Sequence, residues 1–162
     1  MLTGRLLVAN RGEIAIRIFR TAAELGLRTV AVYAEDDADS LHITKADEAI
    51  ALPGRGSAAY LDRNALLAVA RGAGVKAVHP GYGFLSENAE FARACESAGL
   101  VFIGPTTDNL ALFGNKQTAR ELARREGVPV LAGTSAPTTL EVAREFFNEL
   151  GPSSSAMIKA VA

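Results

Sequence analysis

Apolar residues in the first two thirds of the chain fall in short unbroken runs, each closed by a turn signal and followed by a segment of helical period. Leu6-Leu7-Val8-Ala9 shows no polar alternation and stops at Asn10-Arg11-Gly12, the pattern of a buried strand entering a tight turn. Beyond it Ile14, Ile18, Ala22 and Leu25 share a helical face with Phe19 beside them, and Gly26 ends that helix. Residues 28–33, rich in β-branched side chains, read as a second strand. An acidic loop at 35–40 and a short segment at 41–46 lead to a third strand, Ala49-Ile50-Ala51-Leu52. Pro53-Gly54-Arg55-Gly56-Ser57 reads as a flexible turn, and 61–73 as a helix with Leu66, Leu67, Val69 and Ala70 apolar. Val75-Lys76-Ala77-Val78 reads as a fourth strand that runs straight into His79-Pro80-Gly81-Tyr82-Gly83. Ser86 is expected to cap a helix reaching Ala98, with Glu87 and Glu90 complementing its dipole. Leu100-Val101-Phe102-Ile103 is the fifth strand, ended by Gly104-Pro105.

This alternation of strand and helix, with strands apolar on both faces, predicts an α/β fold. The expected architecture is an open, doubly wound, mostly parallel sheet whose ligand crevice lies at the C-terminal ends of the strands. After Pro105 the character changes. Residues 106–113 and 117–126 read as two consecutive helices, 128–131 as extended, 135–139 as a polar linker and 140–150 as another helix. Residues 156–162 start a strand that stops without a turn, a polar tail or a partner, which reads as the end of a fragment.

Composition narrows the function classes without choosing one. The 162 residues are 49% hydrophobic and 22% charged, an ordinary globular balance. With 17 basic and 18 acidic residues the net charge is −1, so no global field draws the chain to nucleic acid or to an anionic membrane. Leu6 to Ala9 is too short a run for a signal core or a membrane span, and a cytoplasmic location is expected. Cys95 is the one cysteine, and it reads as a small core residue four positions after Phe91.

Four motifs are candidates for chemistry. The strand–turn–helix at Val8 to Arg17 can cradle an anion at the helix N-terminus. Glu35, about 20 residues on, invites a dinucleotide reading. The Gly-x-Gly-x-x-Gly fingerprint is absent, however: Gly12 stands alone before Ile14 and Ile16. The segment His79 to Asn88 sets two glycines around an aromatic at a strand end, either as a ligand loop or as a rigid connection with His79 hydrogen-bonded inside. His42 is the only other histidine and is remote in sequence, so a histidine-based metal site is poorly supported. Lys116 opens a helix, as a solvated surface residue or as the partner of a phosphate at the same end. Lys159 interrupts an apolar strand, pointing outward from an edge or meeting an anion. The first helix also carries Glu13, Arg17, Arg20 and Glu24, two i,i+4 pairs that form either a solvated face or an interface.

Taken together, these residues resemble one family. Ala9-Asn10-Arg11-Gly12-Glu13-Ile14-Ala15 and the ten-residue string from His79 to Asn88 look like the opening of biotin carboxylase. Phe102-Ile103-Gly104-Pro105 and Gly114-Asn115-Lys116 match its next landmarks. The module occurs in acyl-CoA carboxylases, including those of fatty acid metabolism, and in pyruvate carboxylase. The resemblance spans the whole chain and implies an ATP-grasp ligase. Such an enzyme activates bicarbonate with Mg-ATP, through carboxyphosphate, and carboxylates the ureido nitrogen of biotin. It implies a biotin carboxyl carrier domain and a carboxyltransferase component as partners, and a homodimer at full length.

The resemblance also implies roles for particular residues. Lys116 and Lys159 bind ATP, Tyr82 and Gly83 line the biotin side of the cleft, and Arg17, Arg20 and Glu24 belong to the dimer interface. Residues 1–113 become a Rossmann-like pre-ATP-grasp domain, and 114–162 the linker helices and first strand of the ATP-grasp domain. The family's glycine-rich loop, metal carboxylates, bicarbonate site and catalytic arginine come later in its pattern. No catalytic or metal-binding residue is therefore assigned here, and the chain alone is expected to be nearly inactive. The final acceptor is chosen in another domain. A related ATP-grasp ligase such as carbamoyl phosphate synthetase, or a non-catalytic nucleotide-binding domain, are the competing readings, and dependence on biotin separates them.

Overall fold

A computed structural model describes residues 4–134, 138–151 and 153–158. Five strands, β1 (Arg5–Val8), β2 (Arg28–Tyr33), β3 (Glu48–Ala51), β4 (Ala77–His79) and β5 (Val101–Phe102), form one sheet in the order β3-β2-β1-β4-β5. Every neighbouring pair is parallel. The chain winds outward from β1 through β2 to β3, then returns to the other side of β1 for β4 and β5, so the direction of winding reverses between β1 and β4.

The sequence dictates this arrangement through the two sides of each strand. Leu6 and Val8 of β1 join Ala31 and Ala77 against Ala15, Phe19 and Ala22 of α1 (Gly12–Glu24). On the opposite face Leu7 joins Val30, Val32 and Val78, covered by Tyr60 of α2 (Gly56–Leu61), Leu66 and Ala70 of α3 (Arg63–Gly72), and Phe91 and Cys95 of α4 (Ala89–Ser97). The central strands β2, β1 and β4 are buried on both faces, which is why no polar alternation marks them, whereas the edge strands β3 and β5 keep exposed positions. Full burial of Leu7 or Phe19 contributes about 1.5–3 kcal/mol each.

Several expectations shift. The buried stripe of α1 is Ala15, Phe19 and Ala22, because the large Phe19 ring sets the helix phase; Ile14 and Ile18 flank it, and Leu25, past the last turn, is 70% exposed. The stretch read as a flexible turn already contains the start of α2. The helix expected over 61–73 is divided at Asp62, whose carboxylate accepts from the Asn64 and Ala65 amides (2.9 and 3.0 Å) and so restarts the backbone as α3. The cap of α4 is Asn88, not Ser86: Asn88 Oδ1 accepts from Phe91 N at 2.8 Å, while residues 83–88 are still turning.

The chain divides into two units, Met1–Leu110 and Ala111–Ala162, with the boundary inside α5 (Thr107–Gly114). In the second unit, α6 (Lys116–Arg125) is capped by Asn115 and α7 (Leu140–Glu149) by Thr139. Between them 128–131 pairs with no strand, and Arg120 donates to the Leu131 carbonyl at 2.7 Å. The strand expected at 156–162 is not formed at 156–158, and the remainder lies outside the described residues.

Candidate functional site

The reversal of winding sets the C-terminal ends of β1 and β4 side by side. Val8 pairs with His79, and Ala9 N donates to the His79 carbonyl at 2.9 Å. The two segments that follow, Asn10 to Ile14 and His79 to Phe84, therefore meet above the sheet edge, where doubly wound folds hold ligands.

Asn10 locks them together. Its side chain is buried; Nδ2 donates to the carbonyls of Pro80 and Tyr82, both at 2.9 Å, and Oδ1 accepts from the Arg11 amide at 2.9 Å. The loop approaches so closely at Gly81 that a Cβ there would lie 2.5 Å from Asn10 Nδ2. His79 is half-buried, and its Nδ1 accepts from Gly81 N at 3.0 Å, which leaves the proton of the neutral ring on Nε2. Burial holds the imidazole below its usual pKa, so it is neutral and structural at physiological pH.

A second set of contacts steadies the far end of the loop. Phe84 sits at φ +43°, the left-handed region that costs a non-glycine residue about 1–2 kcal/mol. Its ring stacks on Tyr60 (centroids 5.3 Å apart, planes at 12°), an interaction worth about 0.5–1.5 kcal/mol and so of comparable size. The Tyr60 hydroxyl donates to Asp37 Oδ2 at 2.7 Å and accepts from Ala34 N at 3.2 Å. Asp37 also pairs with Arg11 at 2.8 Å, and the Arg11 guanidinium lies 5.6 Å from the Tyr60 ring centroid. Burial alone would push the Asp37 carboxyl up, but the bonds from Arg11 and Tyr60 outweigh it and hold the carboxyl below its usual range.

Between the two segments lies a cleft of about 380 Å³, lined by Asn10, Arg11, Gly12, Glu13, Ile14, Tyr82, Gly83 and Phe84. Gly12 takes φ +58° to turn the strand into α1, whose first amides have no side-chain cap. Tyr82 is 78% exposed at the rim. The cleft offers peptide groups, a helix N-terminus and aromatic surface. It has no nucleophile paired with a base, so its chemistry is binding and orientation. Among the described residues no group of three or more His, Cys, Asp or Glu side chains could hold a metal.

The structure thus brings Gly12, Tyr82 and Gly83 to one cleft. Glu35 is engaged elsewhere: its carboxylate accepts from Gly54 N at 3.2 Å, which removes it from a dinucleotide role. His42 is buried on its own, with Nε2 3.1 Å from the Val32 carbonyl and Nδ1 without a partner. Cys95 is a core residue whose thiol burial pushes up to about 11. Arg17, Arg20 and Glu24 are exposed on α1; Arg17 lies 4.0 Å from Glu13, whereas among the described residues Arg20 and Glu24 form no ion pair. Lys116 is the exposed first residue of α6, in the second unit, and Lys159 lies outside the described residues. No helix among the described residues is long and apolar enough to cross a membrane. Asn10, Asp37 and Tyr60 were invisible as site residues in the sequence, because the partners that matter are 23 to 72 positions away.

A parallel sheet with an open cleft at its switch point defines a doubly wound α/β domain. The particular family follows from comparison: residues 2–110 match the model for the biotin carboxylase N-terminal domain, and the chain belongs to that family. It is 53% identical over 146 residues to pyruvate carboxylase from Bacillus subtilis, covering 88% of this chain and 13% of that protein. The biotin carboxylase domain of a single-chain bacterial carboxylase superposes with a TM-score of 0.88 at 61% identity, covering 91% of this chain and 34% of that one. The Hydrogenobacter thermophilus 2-oxoglutarate carboxylase biotin carboxylase domain, a dimer in complex with MgADP and bicarbonate, gives 0.84 at 41% identity, covering 91% of this chain and 33% of that one. The chain spans well under half the length of each of these relatives.

Proposed function

We propose that this chain is the opening wall of a biotin carboxylase within a larger biotin-dependent carboxylase. The whole enzyme uses Mg-ATP and bicarbonate to carboxylate biotin on a carrier domain, for transfer by a carboxyltransferase component to an acyl-CoA or to pyruvate, in the cytoplasm. The observation that carries this reading is the switch-point cleft. Both segments that form it lie within the family match, and its walls of Ile14, Tyr82, Phe84 and peptide groups suit a small, largely apolar ring with few polar edges. Biotin, when bound, supplies the ureido nitrogen that accepts the carboxyl group.

The resemblance suggests roles for this chain's own residues. Tyr82 and Gly83 face the biotin side. Lys116, exposed at the first position of α6, offers its ammonium to an ATP phosphate, and Lys159 is assigned to nucleotide by the resemblance. Arg17, Arg20 and Glu24, on the α1 surface turned away from the sheet, serve a dimer contact. Residues 1–113 form the Rossmann-like domain, and 114–162 begin the ATP-grasp domain.

The test is ADP release by the intact protein with Mg-ATP and bicarbonate, with and without free biotin. Strong stimulation by biotin is expected. Bicarbonate-dependent turnover indifferent to biotin would instead indicate another ATP-grasp ligase.

A further inference from the structure

We infer that Tyr60 is a positioning residue for the biotin-side loop, acting through Phe84 on the peptide at Tyr82 and Gly83. The inference rests on the functional reading above and adds to it a residue that does not touch the cleft.

Tyr60 is fully buried on α2 and is absent from the cleft lining, which on this side is Tyr82, Gly83 and Phe84. Its ring is nonetheless one of the most tightly held in the first unit. The hydroxyl is fixed at both of its hydrogen-bonding positions, to Asp37 Oδ2 (2.7 Å) and from Ala34 N (3.2 Å). Asp37 is itself fixed by Arg11 (2.8 Å) and Ser40 (3.2 Å), and Arg11 is a cleft residue whose guanidinium lies over the ring. Onto this ring stacks Phe84, whose backbone occupies a conformation that a free chain rarely adopts. Asn10 anchors the loop at Pro80 and Tyr82; beyond Tyr82 the Gly83 carbonyl accepts from Ser86 N at 2.9 Å, and the contact that holds the Phe84 ring is its stack on Tyr60. Without it Phe84 would relax toward an ordinary backbone conformation and turn the Gly83 peptide with it. Affinity on the biotin side would then fall while nucleotide binding, which uses other residues, would not.

The experiment measures steady-state ADP release by the intact protein, varying free biotin and ATP separately. Tyr60→Met, which keeps apolar bulk without the flat ring, is expected to raise the KM for biotin about threefold or more. The KM for ATP and the biotin-free turnover should stay within about twofold. Tyr60→Phe, which retains the ring, should restore the biotin KM to within about twofold of wild type. Phe84→Met should raise the biotin KM as well, and the Tyr60→Met/Phe84→Met double variant should be no worse than the larger single effect, because both remove one stack. An unchanged biotin KM in Tyr60→Met, an equal rise in the KM for ATP, or multiplying effects in the double variant would overturn the proposal. If Tyr60→Met does not fold, Tyr60→Leu decides, because position 60 does not line the cleft: a raised biotin KM at an unchanged KM for ATP supports the stack and an unchanged biotin KM overturns it. A wild-type enzyme that ignores biotin would overturn the functional reading itself, and the proposal with it.

Discussion

A methyl group at position 81 would meet Asn10 Nδ2 at 2.5 Å and Asn10 Cγ at 2.7 Å, on a backbone already at φ +73°. Two independent costs follow. An alanine in the left-handed region costs about 1–2 kcal/mol. Displacing Asn10 leaves the Pro80 and Tyr82 carbonyls without their donor, about 1–3 kcal/mol more. Gly81→Ala is therefore expected to lower unfolding free energy by about 2–5 kcal/mol, read from the shift in urea midpoint at constant slope. A loss below about 0.5 kcal/mol would mean that Asn10 can step aside and is not the clamp described. From the sequence, Gly81 was legible as a place of sharp turning or close approach, since a glycine pair flanking an aromatic at a strand end leaves few other readings. What approached it was not. Asn10 looked like an ordinary turn residue, and its partner lies 70 positions away, a distance that no local pattern spans.

At the scale of elements, the central strands were readable because they are buried on both faces and their runs are apolar. Helix starts were less so, because a cap is decided by backbone direction as well as residue type. Ser86 and Asn88 are both competent caps. The chain is still turning at Ser86, whose amide donates to the Gly83 carbonyl, and becomes extended only at Asn88 (φ −90°, ψ 102°). Asn88→Ala is thus expected to cost about 1 kcal/mol of stability and Ser86→Ala less than about 0.5, compared by thermal denaturation. The reverse order would return the helix start to Ser86. The same blindness hid α2. Pro53-Gly54-Arg55-Gly56 has the composition of a loop, and only the burial of Tyr60 against the sheet shows that Gly56 opens a helix. Tyr60 was consequently missed as a neighbour of the site, although Asp62, the cap that ends one helix and starts the next, stood two residues beyond it.

For the whole molecule, the question is how much of a catalytic cycle one wall can perform. The cleft offers peptide groups, aromatic surface and an uncapped helix N-terminus. Its one arginine is tied to Asp37, and His79, which is outside the lining, is neutral and spent on Gly81. A magnesium ion bridging nucleotide phosphates is usually held by one or two carboxylates. The resemblance puts the family's metal carboxylates later in its pattern, and among the described residues no group of three or more His, Cys, Asp or Glu side chains could hold a metal. Transfer of phosphate to bicarbonate needs that charge neutralised, since catalysis of phosphoryl transfer is almost entirely positioning and electrostatics. The 162-residue chain by itself should therefore release ADP from Mg-ATP and bicarbonate at close to the buffer rate, with or without biotin. Purified chain in a coupled ADP assay checks this directly. Appreciable bicarbonate-dependent release would mean that the metal and phosphate sites can be assembled from these residues alone, and Lys116 would be the first to replace in finding out how.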